Sequence, residues 1–232
     1  MYPAAKRLFD VLFSLTGLVV FSPLFVVIAL LIKRDSEGPV FYRGVRVGKG
    51  GEPFKMYKFR TMVVDADQIG GCATPDDDPR LTGVGRFLRQ YKLDELPQLI
   101  DVFRGKMSLV GPRPQVKWIV DLYTPEERQL LTVRPGITDP ASLHFVNHGE
   151  ILKGSTNPER KYLEKIHPEK MCLSLEYVRT RSFWVDIKII LQTIASIIKW
   201  REGGSYDSET GSHLRADLGI DRYPTTDFDQ AL

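Results

Sequence analysis

Two adjacent carboxylates, Asp94 and Glu95, stand in the stretch LDELPQL (93–99), just ahead of Pro97. Proline suits the first turn of a helix, which predicts a helix over 97–103 that ends near Gly105, with the two acids at or just before its start. The positive field of a helix N-terminus keeps a carboxylate ionised and available as a nucleophile or metal ligand. Adjacent residues point in different directions, so the pair suggests a division of labour. One carboxylate can attack an electrophile while the other holds Mg²⁺, a hard cation suited to carboxylate and phosphate oxygens. Capping acids with a structural task are the plainer alternative.

Cations stand nearby in the sequence: Lys58 and Arg60 in YKFRTM, Arg86 and Arg89 in GRFLRQ, Arg113 in GPRP and Arg134 in RPG. Taken singly, each reads as a solvated surface charge. Arg113 differs because prolines on both sides restrict its backbone and present the guanidinium in a fixed pose suited to bidentate phosphate contact. Arg134, directly before a proline, invites the same reading more weakly. The histidines His144, His148, His167 and His213 are scattered; the first two can share a helix face, but no third metal ligand accompanies them. GKGGEP lacks the spacing of a phosphate-binding glycine loop.

These side chains need elements to hold them. Short apolar and basic runs on either side of GKGGEP, within 38–62, predict a β-hairpin followed by a basic edge. Residues 66–80 read as a polar loop containing PDDDPR, after which VGRFLRQYKL resumes helical spacing. Beyond MSLVGPRPQV the pattern predicts a helix from near Pro125, a turn at RPGITDP and a long polar helical region to about Lys170. SFWVDIKIILQTIASIIKW (182–200) is an amphipathic helix with Phe183, Ile187, Ile190, Leu191, Ile194 and Ile198 on one face. It packs on the core or lies on a bilayer. The tail, 201–232, is rich in Gly, Ser, Thr and Asp and is assigned no fold.

Leu8 to Ile32 forms an apolar run of twenty-five residues whose single charge is Asp10. It meets the length criterion for a membrane helix and is too long for a signal peptide. Lys6 and Arg7 precede it and Lys33 and Arg34 follow it, so neither orientation is preferred for a crossing helix. Ser22-Pro23 interrupts the run. Proline removes an amide donor and clashes with the carbonyl of Val19, and the Ser22 hydroxyl can accommodate a freed carbonyl. At roughly 1.5 Å per residue the arms reach about 21 Å and about 14 Å, against a hydrocarbon core of roughly 30 Å. The residues alone fit a gently kinked single-pass helix as well as one that dips into one leaflet and returns.

With 232 residues the chain supports one main domain. Its formal charge of +3 is too mild to announce nucleic acid, which is not expected as a partner. Cys72 and Cys172 suggest neither a disulfide framework nor a zinc site, and reduced thiols in a cytosolic setting fit best.

Taken together, KRLFD with its apolar run and FSP, then FKMYKFRTM, LDELPQL, MSLVGPRP and VRPGIT, resemble the monotopic phosphoglycosyl transferases, a family of bacterial sugar transferases. The motifs occur in family order from Lys6 to about Asp139, and SLEYVRTRSFWVDIKII resembles the family's C-terminal block. The resemblance implies an α+β fold: a re-entrant membrane helix (1–34) broken at Ser22-Pro23, a compact, mostly helical cytosolic catalytic domain (35–200) with a small β-hairpin and amphipathic interfacial helices, and the tail. It implies transfer of a sugar-1-phosphate from a UDP-sugar to polyprenyl (undecaprenyl) phosphate at the cytosolic face of the bacterial inner membrane, with both termini cytoplasmic. Asp94 would attack the β-phosphate to form a phosphosugar-aspartyl intermediate and release UMP, and Glu95 would bind Mg²⁺. Arg113, Arg134, Arg89, Lys58 and Arg60 are the candidate phosphate clamps. Many members continue RPGIT with glycine, tryptophan and alanine, whereas this chain reads RPGITDPASLHFVNHGE, so the donor sugar does not follow by analogy.

Two rivals stand beside the transferase. A hydrolase using an aspartyl intermediate would take water as acceptor and has no need of the apolar segment. A non-catalytic module binding anionic lipid would leave Asp94 dispensable and LDELPQL unexplained.

Overall fold

The computed structural model describes residues 2–201 apart from Cys72, Val146 and Asn147; the 202–232 tail lies outside the described residues. The apolar run folds as two helices, α1 (Tyr2–Val20) and α2 (Ser22–Asp35), with Pro23 in the first turn of α2. They bend by 60° at the break, and no single described helix is long and apolar enough to cross a membrane. The Ser22 hydroxyl donates to the Val19 carbonyl at 2.8 Å, the group that Pro23 leaves without its amide partner.

The polarity of α1 is inverted relative to a helix of a water-soluble core. Asp10 and Ser14 are buried, and a Cβ on Gly17 would lie 2.9 Å from a Leu99 methyl, so the stripe 10, 14, 17 faces protein. Asp10 accepts from the Leu109 amide at 3.0 Å. Leu8, Val19, Val20, Val26 and Leu30 are each more than half exposed, an apolar surface that runs over both arms.

The segment after α2 builds two small antiparallel pairs. Strand β1 (Phe41–Tyr42) pairs with β4 (Lys58–Phe59), and β2 (Val45–Val47) with β3 (Pro53–Lys55) across a 3₁₀ turn at Lys49–Gly51. This is the expected hairpin, and Gly50 and Gly51 supply the positive φ of its turn. The following loop carries one helical turn, α3 (Ala66–Ile69). Arg80 closes the loop from below, pairing with Asp78 and donating to the Ala66 and Gly71 carbonyls.

Next come α4 (Gly83–Gln90), capped by Thr82, and α5 (Gln98–Phe103), then β5 (Ser108–Val110) and α6 (Lys117–Asp121). Two sequence expectations fail in this half. The helix expected from Pro125 is a 3₁₀ segment over Glu127–Thr132. The turn expected at RPGITDP contains β6 (Gly136–Thr138), which pairs in parallel with β5. A Cβ on Gly136 would come within 2.1 Å of the Gly111 nitrogen, so the glycines of GPRP and RPGIT allow the two backbones to touch.

The polar region to Lys170 is not one helix but four: α7 (Pro140–His144), α8 (His148–Leu152), α9 (Pro158–Lys165) and α10 (His167–Thr180), the last running ten residues past the expected end. Asp-Pro starts α7, with the Asp139 side chain accepting from the Ser142 amide at 2.8 Å and Pro140 in the first turn. The terminal helix α11 (Phe183–Arg201) forms where expected, but its inward side centres on Asp186 and Ile189. Leu191 and Ile194, expected on the same face as Phe183, are at least half exposed. The cause is Asp186, which is buried as acceptor for the Tyr2 and Tyr177 hydroxyls and the Lys6 ammonium and so fixes the rotation of α11. The largest apolar core lies beneath, where α6, α10 and α11 meet β2 and β5.

Candidate active site

Asp94 and Glu95 lie in a 3₁₀ turn, Leu93–Glu95, between α4 and α5. Lys92 enters that turn with φ of 56°, which reverses the chain and turns both acids inward. Their surroundings differ. Asp94 is only 2 % exposed and pairs with the Lys58 ammonium at 2.7 Å. Glu95 receives the Arg113 guanidinium on both oxygens and stands 3.7 Å from the same ammonium. Lys58 comes from β4, and Arg113 follows β5 in GPRP, where Gly111 donates to the Thr138 carbonyl and Pro112 accepts from Gly136. The glycine crossing therefore aims Arg113 at Glu95.

The helix-terminus argument for ionisation is corrected here. Helix α5 has six residues, and the acids precede it in a separate turn. Burial alone would push the Glu95 carboxyl up, but Arg113 and then Lys58 outweigh it and hold the group well below the usual carboxylate range. Glu95 in turn raises the Arg113 guanidinium against its own desolvation.

A cavity of about 520 Å³ reaches the Glu95–Arg113 side of this cluster. Its polar end holds Lys92, Glu95, Arg113 and Lys170; the far walls include Phe13, Val20 and Phe21 at the α1–α2 bend and Ile190 and Ile194 of α11. Ser142, Leu143 and Phe145 of the divergent DPASLHF segment also line it. Phosphate chemistry at one end and hydrocarbon at the other suit an amphiphilic ligand.

Of the predicted clamp residues, the structure brings Lys58 and Arg113 to the carboxylates and leaves three away. Arg60 is 5 % exposed and spends its guanidinium on the carbonyls of Ser36, Glu37 and Pro39, tying down the chain after α2. Arg89 donates to the Thr74 carbonyl at 3.3 Å in the polar loop. Arg134 donates to the Gly105 carbonyl on the exposed surface. None of the three lines the cavity. Two cations escaped the sequence reading: Lys92, whose ammonium burial lowers, and Lys170, lowered to about 7 by burial and by Arg113. The sequence did carry a signal for Lys170, which shares the α10 stripe of Leu173, Ser174 and Tyr177, a lysine on a buried face.

Among the described residues no cluster of three or more His, Cys, Asp and Glu forms a metal site. His144 pairs with Glu169, and the His148 side chain lies outside the described residues. Mg²⁺, however, commonly takes one or two carboxylates and completes its shell with waters and substrate phosphates. Asp94 and Glu95 fit that donor set, though both carboxylates are already paired, Asp94 with Lys58 and Glu95 with Arg113.

A sequence model of the family described as bacterial sugar transferase matches residues 1–200. The chain belongs to that family. It is 37 % identical over 196 residues to the UDP-glucose:undecaprenyl-phosphate glucose-1-phosphate transferase of Caulobacter vibrioides, covering 83 % of this chain and 69 % of that protein. Identity is 36 % over 201 residues to the UDP-N-acetylgalactosamine-undecaprenyl-phosphate N-acetylgalactosaminephosphotransferase of Aeromonas hydrophila, covering 85 % of this chain and 44 % of that one. The Escherichia coli UDP-glucose:undecaprenyl-phosphate glucose-1-phosphate transferase is 39 % identical over 197 residues, covering 82 % of this chain and 39 % of its own length. The chain thus spans less than half of two of these bacterial sugar transferases.

Proposed function

We propose that the chain transfers a sugar-1-phosphate from a UDP-sugar to polyprenyl (undecaprenyl) phosphate, through a phosphosugar intermediate on Asp94. The observation that carries this reading is a cavity that joins Glu95 and Arg113 to apolar walls drawn from the α1–α2 bend, with the Lys58–Asp94 ion pair directly beside that polar end. The names of the relatives support the substrate classes. Relatives named for glucose and for N-acetylgalactosamine match at 37 % and 36 % identity, so overall similarity does not single out the sugar.

An Asp94 oxygen attacks the β-phosphorus, a P–O bond forms, and the bond to UMP breaks with its electron pair leaving on UMP. An oxygen of the polyprenyl phosphate then attacks the same phosphorus, and the bond to Asp94 breaks, regenerating the carboxylate and giving polyprenyl-diphosphate-sugar. Lys58 pairs with Asp94 and holds it in place until the donor arrives, then shifts its charge to the diphosphate. Arg113 offsets charge on the transferred phosphoryl group, anchored by Glu95. Mg²⁺ held by Glu95 would supply further neutralisation of the diphosphate. The bent helix pair enters one leaflet and returns, keeping residues 35–200 and both termini on the cytosolic face of the bacterial inner membrane. Its exposed apolar surface and its 60° bend, with neither arm both long and apolar enough to cross, support that topology.

The test is intact-mass analysis after incubation with Mg²⁺ and a panel of UDP-sugars, without lipid. The expected result is a phosphosugar adduct on the natural protein and none on Asp94→Asn. UMP release that requires polyprenyl phosphate and survives Asp94→Asn would overturn the covalent route in favour of direct transfer.

A further inference from the structure

Lys170 is a cation of the cavity to which the transfer scheme gives no role. It is 6 % exposed, projects from α10 into the polar end, and has its ammonium 5.4 Å from the Tyr162 ring centroid and 5.6 Å from that of Phe145. Among the described residues its side chain has no hydrogen bond and no carboxylate partner. A lysine is rarely buried unless an anion accompanies it, because desolvating an ammonium is costly. The nearby aromatic faces offset part of that cost without neutralising the charge.

The charge count at the cavity identifies the missing anion. Glu95 is already paired with Arg113, so the Lys170 ammonium brings to the polar end a positive charge that no ion pair among the described residues takes up. A phosphate monoester carries about −1.5 to −2 at neutral pH and offers three acceptor oxygens. The rest of the cavity is walled by Phe13, Val20, Phe21 and Ile190 and leads to the α1–α2 bend, where a hydrocarbon chain would enter from lipid. A nucleoside diphosphate sugar has no comparable apolar part.

We propose that Lys170 binds the phosphate monoester of the isoprenoid acceptor, seating it on the Glu95–Arg113 side of the cluster, while the nucleotide donor is served by Lys58 on the Asp94 side. This inference rests on the transferase reading above. Burial and Arg113 lower the free ammonium to about 7, and the entering anion raises it again and becomes its ion-pair partner.

The two half-reactions separate the possibilities. Lys170→Met keeps the side-chain length and removes the charge. The expected result is adduct formation from the UDP-sugar at the natural rate, a KM for polyprenyl phosphate raised about 10- to 100-fold, and substantial recovery in Lys170→Arg. An unchanged acceptor KM would overturn the inference, as would loss of the donor half-reaction in a variant that melts like the natural protein. A second measurement needs no variant: an amine-reactive reagent is applied at pH 7.5, and modification of Lys170 is read by peptide mass. Polyprenyl phosphate in detergent should protect Lys170 and a UDP-sugar should not; equal protection by both, or by neither, overturns it. If the natural protein forms no adduct and releases no UMP, the transferase reading fails, and the labelling experiment still reports whether an isoprenoid phosphate occupies this cavity.

Discussion

At the scale of single residues, the site is a set of unequal ionic partnerships, and Lys170 is the most exposed of them to a pH test. In the fold it titrates near 7, whereas a lysine in the unfolded chain titrates near about 10.4. Between those values the unfolded state binds more protons, so this group makes stability rise with pH across the window. Lys170→Met is therefore expected to be more stable than the natural protein at pH 7, with the difference shrinking toward pH 10, as read from urea midpoints. Arg113, Asp139 and Glu95 face Lys170; Glu95 is held well down and Arg113 raised, so neither of these two changes charge over this range. Lys92, also lowered by burial, adds a slope of the same sign that the variant retains. The sequence exposed Asp94, Glu95, Lys58 and Arg113 because each sits in a short motif whose neighbours constrain it. It misassigned Arg60, since FRTM gives no hint that three carbonyls after α2 turn back toward that guanidinium. Lys170 and Lys92 lay inside ordinary helical text, and only the packing of distant elements shows what they face.

At the scale of elements, two contacts control the geometry of the cluster. Arg60 binds the chain between α2 and β1, so its removal should damage folding rather than chemistry. Arg60→Met is expected to cost about 2–4 kcal/mol, since three carbonyls lose the buried charged donor that ties them together. Its donor KM, measured on the folded fraction, should match the natural one, in contrast to a residue that touches phosphate. The crossing of β5 and β6 is the second contact. A methyl at Gly136 would overlap the Gly111 backbone, and neither strand can retreat without losing the parallel pair. Gly136→Ala is expected to lose at least about 3 kcal/mol of stability and, in whatever fraction folds, transfer activity through the displaced Arg113. The parallel pair was invisible in the sequence because each strand has three residues and no alternation long enough to read. The hairpin, α4, α5 and α11 were legible from turn residues, caps and periodicity. The rotation of α11 was not, because one buried acid, Asp186, overrode its apolar stripe.

At the scale of the whole molecule, the inverted α1, the bent pair and the apolar-walled cavity adjoin one another, and the proposed re-entrant topology predicts which side of the bilayer each end faces. In a background with Cys72 and Cys172 replaced by serine, single cysteines at Ala4→Cys and Lys33→Cys should both react with an impermeant maleimide in inside-out membrane vesicles, and neither in intact cells. Labelling from opposite sides would mean a crossing helix. The clasp on Asp186 adds an order of events to this picture. Tyr2 donates to a carboxylate 184 residues later in the chain, so the ribosome must deliver almost the entire described unit before that bond can form. At roughly 5–20 residues per second this takes about 10–40 s. Throughout that interval the newborn α1 lacks its Asp186 clasp, while its contacts with Leu99 and Leu109 can form as soon as the middle of the chain is made. The clasp of α11 on α1 therefore closes last, over an α1 already packed on the middle of the chain.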